Sequence, residues 1–425
     1  MQKKFFLQGY WVAVLTTLAF MCMGFFNMVS INVSVPAISA LTNIPTATLL
    51  YFNTIGGLLG IIVAVVAGKI ITRFGAKRCM VVGAVVAAIA YSLIPQSKSP
   101  VLIAICMLIN SSMLFFYCSS TVPAFIMRWW PRNKGTLLGI VTCGVPLCNL
   151  IMLTPFNKLT LTAGIRTSMP VFSLVLILLA VLVALTTKET PAECGCLPDN
   201  KPLTEADLAQ IETIAALSKE KSPWTIRRVL ANRNFVLTGV LWGLVLMSYL
   251  GVTPVAVSIM VSSGVPQLTA VSYVSIGGII GIVGSLVSGV LDDHLGVKWV
   301  CTIYIALLCV GFVLLAFTGN IAIGLMIFGY FVITFVGGAV NNLPSSHAAT
   351  KSSPRHFTPV YAVITAVYSL FRAFGTSISG FSFENFGSYR PAFILYIVVN
   401  IIAIVLLFVV GNKPEPVPTA ATKSK

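Results

Sequence analysis

An arginine lies in the middle of a long apolar segment near the C-terminal end of the sequence. In the stretch AVYSLFRAFGTSISG, Arg372 is surrounded by aliphatic, aromatic and small residues. A guanidinium group keeps its proton inside a protein. Placing an arginine at the centre of a bilayer costs at least about 2.5 kcal/mol. Other groups must therefore compensate for this charge.

The neighbours of Arg372 predict which way its side chain points. Hydroxyl-bearing residues share one face of a continuous helix with it, at Thr365, Tyr368, Ser369, Thr376 and Ser379. Such a polar stripe inside a membrane is expected to face a water-filled cavity. Because a guanidinium binds a carboxylate through two parallel hydrogen bonds, we predict that Arg372 contacts an anionic substrate beside Tyr368 and Ser369, with Thr365 one turn away. The alternative is that backbone carbonyls, hydroxyls and water satisfy the guanidinium.

The composition places this segment in a membrane protein. Of 425 residues, 57% are hydrophobic and 9% are charged, whereas soluble domains carry about 25% charged residues. All 11 acidic residues fall in predicted loops, a linker or the tail. No acid inside the membrane is therefore predicted to neutralise Arg372.

Long apolar runs predict twelve membrane-spanning helices, because a helix needs about 20 apolar residues to cross a bilayer. The predicted spans are 8–35, 47–71, 79–95, 100–127, 135–156, 167–187, 234–258, 269–291, 297–317, 320–348, 358–383 and 390–411. Membrane β-barrels show short alternating strands instead. The sequence therefore predicts an all-α membrane protein with the lipid bilayer as its surroundings.

Basic residues predict the orientation of the chain. Lys and Arg are concentrated before span 1, in the loops that follow even-numbered spans, and in the tail. Because cytoplasmic loops are enriched in these residues, we expect both termini in the cytoplasm of a multi-pass cell-membrane protein. The formal net charge of +16 is then an orientation signal, and nucleic acid is not an expected partner.

A polar stretch divides the chain into two predicted halves. Residues 188–233 are predicted as a cytoplasmic linker between six-helix bundles at 1–187 and 234–411, and residues 412–425 as a flexible cytoplasmic tail. Within the linker, an amphipathic helix is predicted over 202–221. A second helix is predicted with Pro223 at its first position, and Trp224 is expected at the membrane interface.

Two short loops occupy corresponding places in the two halves. GKIITRFGAKR follows span 2 and GVLDDHLGVKW follows span 8. Both resemble the signature gating loop of the major facilitator superfamily. The matching positions are Gly68, Arg73, Gly75, Lys77 and Arg78 in the first copy, and Gly289, Asp293 and Gly296 in the second. Thr72 stands where the family has an acid, so the first loop lacks the carboxylate of the usual charge relay.

A further run, RWWPRNKGTLLGI, resembles the monocarboxylate and oxalate–formate branch of this superfamily. The resemblance implies two pseudo-symmetric six-helix bundles and a monomeric secondary transporter that works by alternating access. It also implies that spans 1, 4, 7 and 10 line the central path. The substrate-binding candidates on these spans and on span 8 are Asn27, Asn110, Tyr117, Tyr249, Tyr273 and Asn341. The alternative for each is an interhelical hydrogen bond without substrate contact.

The sequence offers few groups for coupling transport to an energy source. His347, near the cytoplasmic end of span 10, is a candidate proton site because histidine titrates near neutral pH; a solvated interfacial histidine is the alternative. We therefore expect anion exchange, or proton symport in which the substrate itself carries the proton.

The sequence contains no phosphate-binding loop and no nucleophile–base set. It therefore predicts no enzyme activity, no cofactor and no metal site. Two other functions remain open. One is a carrier or efflux pump for bulky amphipathic compounds such as drugs or bile-acid-like molecules, and the other is a membrane receptor that does not transport.

Overall fold

The computed structural model describes residues 2–130, 137, 140–194, 224–318, 322–340, 343–352, 357–410 and 415. Within these ranges every regular element is a helix. Eleven of the described helices are long and apolar enough to cross a membrane, and a bent pair over Ile323–Ala339 and Leu343–Lys351 brings the number to twelve. The predicted twelve-span, all-α architecture is confirmed.

The first six spans contain three π-helical segments, a form that frequently marks functional sites. Span 1 comprises Gln2–Gly24, π-helical Phe25–Val29 and Ile31–Thr42, and span 2 is the helix Thr46–Phe74. Span 3 comprises Ala76–Leu93 and the 3₁₀ turn Ile94–Gln96, and span 4 comprises Pro100–Leu114, π-helical Phe115–Ser119 and Thr121–Trp129. Span 5 comprises Gly144–Cys148, π-helical Asn149–Leu153 and Thr154–Ala163, and span 6 is the helix Ile165–Thr186. A 3₁₀ turn follows at Pro191–Cys194.

The later spans are interrupted at different places. Span 7 comprises Arg233–Val252, the 3₁₀ turn Thr253–Val255 and Ala256–Ser262; span 8, Gln267–Leu295; span 9, Val297–Thr318; span 10, the bent pair above; span 11, Phe357–Arg372 and Gly375–Phe386; span 12, Arg390–Val410. We call the side reached at the ends of odd-numbered spans the far side, and the side reached at the ends of even-numbered spans the near side.

Two compact units do not coincide with the two halves of the sequence. The first unit contains Met1–Leu203, Thr253–Ile279 and Ser379–Gly387. The second contains Thr204–Val252, Ile280–Ile378 and Ser388–Lys425. The far ends of spans 7, 8 and 11 thus belong to the first unit. The domain boundaries expected from the sequence stay predictions.

Within the second unit, glycines bring span 7 close to the first helix of span 11. A Cβ on Gly239 would lie 2.7 Å from the Val367 side chain, and one on Gly243 would lie 2.8 Å from that of Phe371. Larger residues at these positions would push the two helices apart, since packed interiors do not absorb added volume. This contact determines the position of the helix that carries Arg372.

The short helix before span 7 differs from the prediction. It runs Ile226–Ala231, and Thr225 is its N-cap, with the hydroxyl accepting from the Arg228 N–H at 3.4 Å. The expected start at Pro223 is wrong, because the threonine side chain caps the first turn. Trp224 is buried and packs edge-on against Phe235; its position at the membrane interface stays a prediction.

Several predicted segments lie outside the described residues. They are the linker helix at 202–221, Asn341, most of the RWWPRNKGTLLGI run and the tail at 412–425 except Glu415.

Candidate functional site

Arg372 lies at the end of a helix, not in its middle. Helix Phe357–Arg372 stops there, and Gly375–Phe386 begins after a turn in which the Phe374 N–H donates to the Phe371 carbonyl at 3.1 Å. The expected continuous helix is therefore wrong. Thr376 and Ser379 belong to the second helix and are buried, so they do not extend the stripe of Arg372.

The helix end compensates for only part of the charge of Arg372. A cation near a helix C-terminus gains about 0.3–1 kcal/mol from the helix dipole, less than the minimum of about 2.5 kcal/mol for an arginine at mid-membrane. Within the part of the chain that the structure describes, Arg372 has neither an ion pair nor a hydrogen bond, and its side chain is exposed. The guanidinium thus remains available to a ligand.

The part of this helical face that precedes Arg372 is directed toward protein. Tyr361, Thr365 and Tyr368 precede Arg372 on this face, and Tyr361 adjoins Tyr368 and interacts electrostatically with Arg372. Both tyrosines pack against a buried cluster that includes Trp224, Val229, Phe235, Ala348 and Ile364. Leu370, on the opposite face, is 49% exposed. Arg372 therefore ends a polar stripe that begins in the core of the second unit.

A second polar group lies inside the first unit, where two π-helical segments meet. Asn27 of span 1 donates to the Tyr117 hydroxyl of span 4 at 3.0 Å. Asn110 donates to the Phe26 carbonyl at 3.2 Å and to Asn27 Oδ1 at 3.5 Å. Tyr117 is fully buried, Asn110 is buried and Asn27 is half-buried. The three residues form an interhelical network, with Asn27 the most open of them.

A small cavity adjoins this network. It has a volume of about 30 Å³ and is lined by Asn27, Ser30, Tyr91 and Asn110 among others. Ser30 Oγ, Tyr91 OH and Asn110 Oδ1 are buried there without a hydrogen-bond partner among the described residues. Because a water needs about 10–15 Å³ in this measure, the cavity has room for two or three waters.

The remaining substrate candidates are divided between the two units. In the second unit, the Tyr249 ring lies against the backbone of Gly337 in span 10, and Ser369 is half-buried. Tyr273 is half-buried in the first unit. Their substrate contacts stay predictions.

His347 is fully buried, and its Nδ1 accepts a hydrogen bond from Trp242 Nε1 at 3.2 Å. The solvated interfacial alternative is therefore wrong, because His347 packs against Trp242 of span 7. A role in proton transfer stays a prediction.

The first signature loop obtains a carboxylate from a residue that the sequence analysis did not single out. Glu189, after span 6, accepts hydrogen bonds from the backbone N–H groups of Ala76 and Lys77 at 2.7 and 2.8 Å. It also forms an ion pair with Arg128 of span 4. A carboxylate at the N-terminus of span 3 satisfies its free N–H groups and complements its dipole. Glu189 thus supplies the acid that Thr72 cannot.

Gly75 makes room for this carboxylate. Its φ of +88° and ψ of 154° lie in a region that is essentially restricted to glycine. A Cβ at this position would lie 3.2 Å from the Glu189 carboxylate. Arg73 and Arg78 are exposed, and Arg73 lies over the Phe74 ring at 5.4 Å. Gly68 lies within the helix of span 2.

Comparison with known proteins identifies the family. Residues 15–376 and, again, 282–425 match the family model described as Major Facilitator Superfamily. This chain belongs to the major facilitator superfamily. No curated protein matches it in the sequence comparison.

Solved transporters of this superfamily's fold resemble the chain over nearly its whole length. A crystal structure of a D-xylose–proton symporter is 15% identical with a TM-score of 0.71, covering 96% of this chain and 98% of its own. An inward-open structure of the xylose transporter XylE from E. coli is 16% identical with a TM-score of 0.74, covering 93% and 95%. A mutant of the nucleoside transporter NupG is 12% identical with a TM-score of 0.72, covering 94% and 99%. At this identity the likeness shows the fold alone.

As a member of the superfamily, the chain is a multi-pass secondary transporter for a small molecule and not an enzyme. No group of three or more metal-ligating side chains is found among the described residues. None of the nine described cysteines forms a disulfide bond, and most of them are buried.

At the second signature loop, the described residues show no counterpart of the contact between Glu189 and the first loop. Gly296 has a φ of +77°, and a Cβ added to it or to Gly289 would have no neighbouring atom within 4 Å among the described residues. Asp292 accepts from the Ser346 hydroxyl at 2.6 Å. The Asp293 side chain lies outside the described part.

The acid after span 12 binds elsewhere on the near side. The Glu415 carboxylate accepts from the Asn232 and Asn234 amides at 2.9 and 2.5 Å, and its N–H donates to the Lys351 carbonyl at 2.9 Å. Lys351 is fully buried, and its ammonium donates to the Val410 carbonyl at 2.8 Å. Spans 7, 10 and 12 are thereby joined within the second unit.

Proposed function

We propose that this transporter carries a small organic anion, in first place a carboxylate, across the cell membrane by alternating access. The observation that carries the proposal is Arg372, a permanent cation at a helix break inside span 11 with no ion pair among the described residues. An intramembrane charge marks a substrate or ion pathway by default. The substrate then supplies the negative charge that the span lacks.

The surroundings of Arg372 suit a carboxylate. A guanidinium offers a planar pair of N–H donors that matches the two carboxylate oxygens. The neighbouring Tyr368 and Ser369 carry hydroxyls that donate to the same oxygens. A neutral substrate would leave the guanidinium without a counter-charge in a medium of low dielectric constant.

The coupling mechanism is proposed as exchange of one anion for another, or proton symport in which the substrate carries the proton. Apart from Asp292 and Asp293 at the near end of span 8 and Glu384 at the far end of span 11, the described residues of the spans contain no acid. A dedicated carboxylate relay in the membrane interior is therefore not proposed. His347 remains the candidate proton site if the substrate does not carry the proton.

On the near side, we propose that Glu189 and the first signature loop form one gating element. The loop positions Arg73, Gly75, Lys77 and Arg78 surround the start of span 3, and Glu189 anchors that start to span 4. Both termini are proposed to lie on this side, in the cytoplasm, and the transporter is proposed to act as a monomer.

A carrier of bulky amphipathic compounds is the alternative, and the names of the solved relatives add sugars and nucleosides as neutral cargo to test. The positive charge of Arg372 favours an anionic substrate over bulky amphipathic compounds, sugars and nucleosides. A neutral or bulky ligand must make its strongest contacts elsewhere, so the Arg372 variants separate the possibilities.

The test is thermal unfolding of purified protein with formate, oxalate, lactate, succinate, a bile acid, xylose and a nucleoside. A ligand at a hundred times its dissociation constant stabilises a protein by about 2.7 kcal/mol. We expect one or more small carboxylates to stabilise the wild type, Arg372→Lys to respond weakly and Arg372→Gln not at all. Arg390→Gln is the matched control, because Arg390 is an exposed arginine over the Phe317 ring; its response should equal the wild type. Equal responses of Arg372→Gln and wild type would refute the anion proposal.

A further inference from the structure

The helix of span 7 is interrupted near its far end. Thr253–Val255 forms a 3₁₀ turn around Pro254, and a new helix begins at Ala256. Such an interruption leaves carbonyls before it and N–H groups after it without partners in the helix. Inside a membrane these groups need partners from elsewhere.

Asn32 of span 1 provides partners on both sides of this interruption, within the first compact unit. Its Nδ2 donates to the Thr253 carbonyl at 3.0 Å, and its Oδ1 accepts from the Val257 N–H at 3.0 Å. The amide also donates to the Val29 carbonyl of its own span at 3.2 Å. Asn32 is only 2% exposed, so water does not compete for these bonds. The side chain thus acts as a helix cap supplied by another span.

Other contacts close the far side of the first unit around this cap. Gln267 of span 8 donates to Asn157 of span 5 at 2.8 Å. Gly380 of span 11 lies against Ala47 of span 2, where a Cβ on Gly380 would be 3.5 Å from the Ala47 Cβ. The far ends of spans 7, 8 and 11 therefore pack on spans 1, 2 and 5.

We propose that Asn32 is the releasable latch of the far side. The inference rests on the alternating-access part of the proposed function, in which the far ends of these spans must separate. An amide suits the task because it is neutral, so release exposes no buried ion. The interruption in span 7 suits it too, since water can replace Asn32 at the Thr253 carbonyl and the Val257 N–H once the far side opens.

The test measures how often the far side opens. Ala47 of span 2 is 1% exposed, and Gly380 of span 11 packs against it. A cysteine at this position therefore reacts with a membrane-impermeant maleimide only while the far side is open. In the Ala47→Cys background, Asn32→Leu is expected to raise the alkylation rate at least about fivefold, because two buried hydrogen bonds are lost. Protein without Ala47→Cys gives the rate of the native cysteines. An unchanged rate would overturn the latch.

Asn32→Asp provides a second readout that also serves if the leucine variant does not fold. A protonated carboxyl makes both contacts, since its carbonyl oxygen accepts and its hydroxyl donates. An ionised carboxylate has no proton for the Thr253 carbonyl. The alkylation rate of Asn32→Asp, divided by that of Asn32 protein at the same pH, is therefore expected to rise between about pH 5 and pH 8. A pH-independent ratio would contradict the latch.

Asn400→Leu is the matched control for loss of a buried asparagine. Asn400 is fully buried in span 12, where it donates to Ser248 at 2.8 Å and to the Tyr396 carbonyl at 2.7 Å. Its loss is expected to leave the alkylation rate within about twofold, and an increase equal to that of Asn32→Leu would assign the effect to general loosening. No substrate is used, so failure of carboxylates to stabilise the wild type leaves this result interpretable.

Discussion

Glu189 and Glu415 follow the last spans of the two halves, yet they make different bonds. Glu189 accepts from two backbone N–H groups at the start of span 3 and pairs with Arg128. Glu415 accepts from two asparagine amides, and the nearby Lys351 donates instead to a backbone carbonyl. Similar positions in the chain therefore produce an ion pair at a helix start in one half, and hydrogen bonds to neutral amides beside a buried lysine in the other.

The difference is explained by what each signature loop lacks. The first loop has Thr72 and no acid of its own, so the start of span 3 and Arg128 bind the carboxylate of Glu189, which follows span 6. The second loop keeps its own acids, and Asp292 already binds Ser346. The acid after span 12 is then available to join spans 7, 10 and 12.

The largest effect is expected from removing the first acid. Glu189→Ala should destabilise the protein by about 2–4 kcal/mol, because charge-assisted hydrogen bonds contribute about 1.5–3 kcal/mol each and the pair is partly screened by water. Thermal unfolding in detergent measures this. Glu193→Ala is the control, since Glu193 accepts from the Thr190 hydroxyl and the Glu189 N–H at the same turn and has no ion pair among the described residues. Equal losses in the two variants would remove the special role of Glu189.

A smaller effect separates the two signature glycines. Gly75→Ala should cost about 2–3 kcal/mol, because strain at this φ and ψ adds to contact with Glu189. Gly296→Ala meets open space and should cost about 1–2 kcal/mol from its positive φ alone. The same unfolding assay gives the difference, which should shrink in a Glu189→Ala background because the contact with the Glu189 carboxylate is removed. A difference of unchanged size there would assign the effect to the backbone alone.

The second acid should matter less than the first. Glu415→Ala is expected to cost about 1–2 kcal/mol, because it removes two hydrogen bonds from amides that then reach water and the attraction of the carboxylate for the nearby Lys351 ammonium. Glu415→Gln should cost less, since one amide oxygen still accepts. A loss as large as that of Glu189→Ala would contradict the comparison.

Salt should produce the smallest effect and act mainly on the first contact. At about 1 M salt the screening length falls to about 3 Å, so the stability difference between wild type and Glu189→Ala should shrink. The difference for Glu415→Ala should shrink less, because its hydrogen bonds come from neutral amides and its attraction to Lys351 involves a buried charge, which salt screens less. Unfolding midpoints at low and high salt measure both differences, and parallel changes would argue against a charge-based first contact.

The sequence by itself determined the twelve spans and the position of Arg372 in an apolar run that lacks an acid. Hydropathy and length are local properties, so they are readable without a partner. The helix break after Arg372 was not readable in this way, because AFG continues an apolar run without a proline.

Only the tertiary structure decided which groups meet. Glu189 lies 113 residues from Ala76, and Asn32 lies 225 residues from Val257; no local pattern connects either pair. The burial of His347 likewise depends on Trp242 of another span. Backbone groups freed at helix ends and breaks must be satisfied inside a membrane, and the side chain that satisfies them is whichever one the packing of the spans brings there.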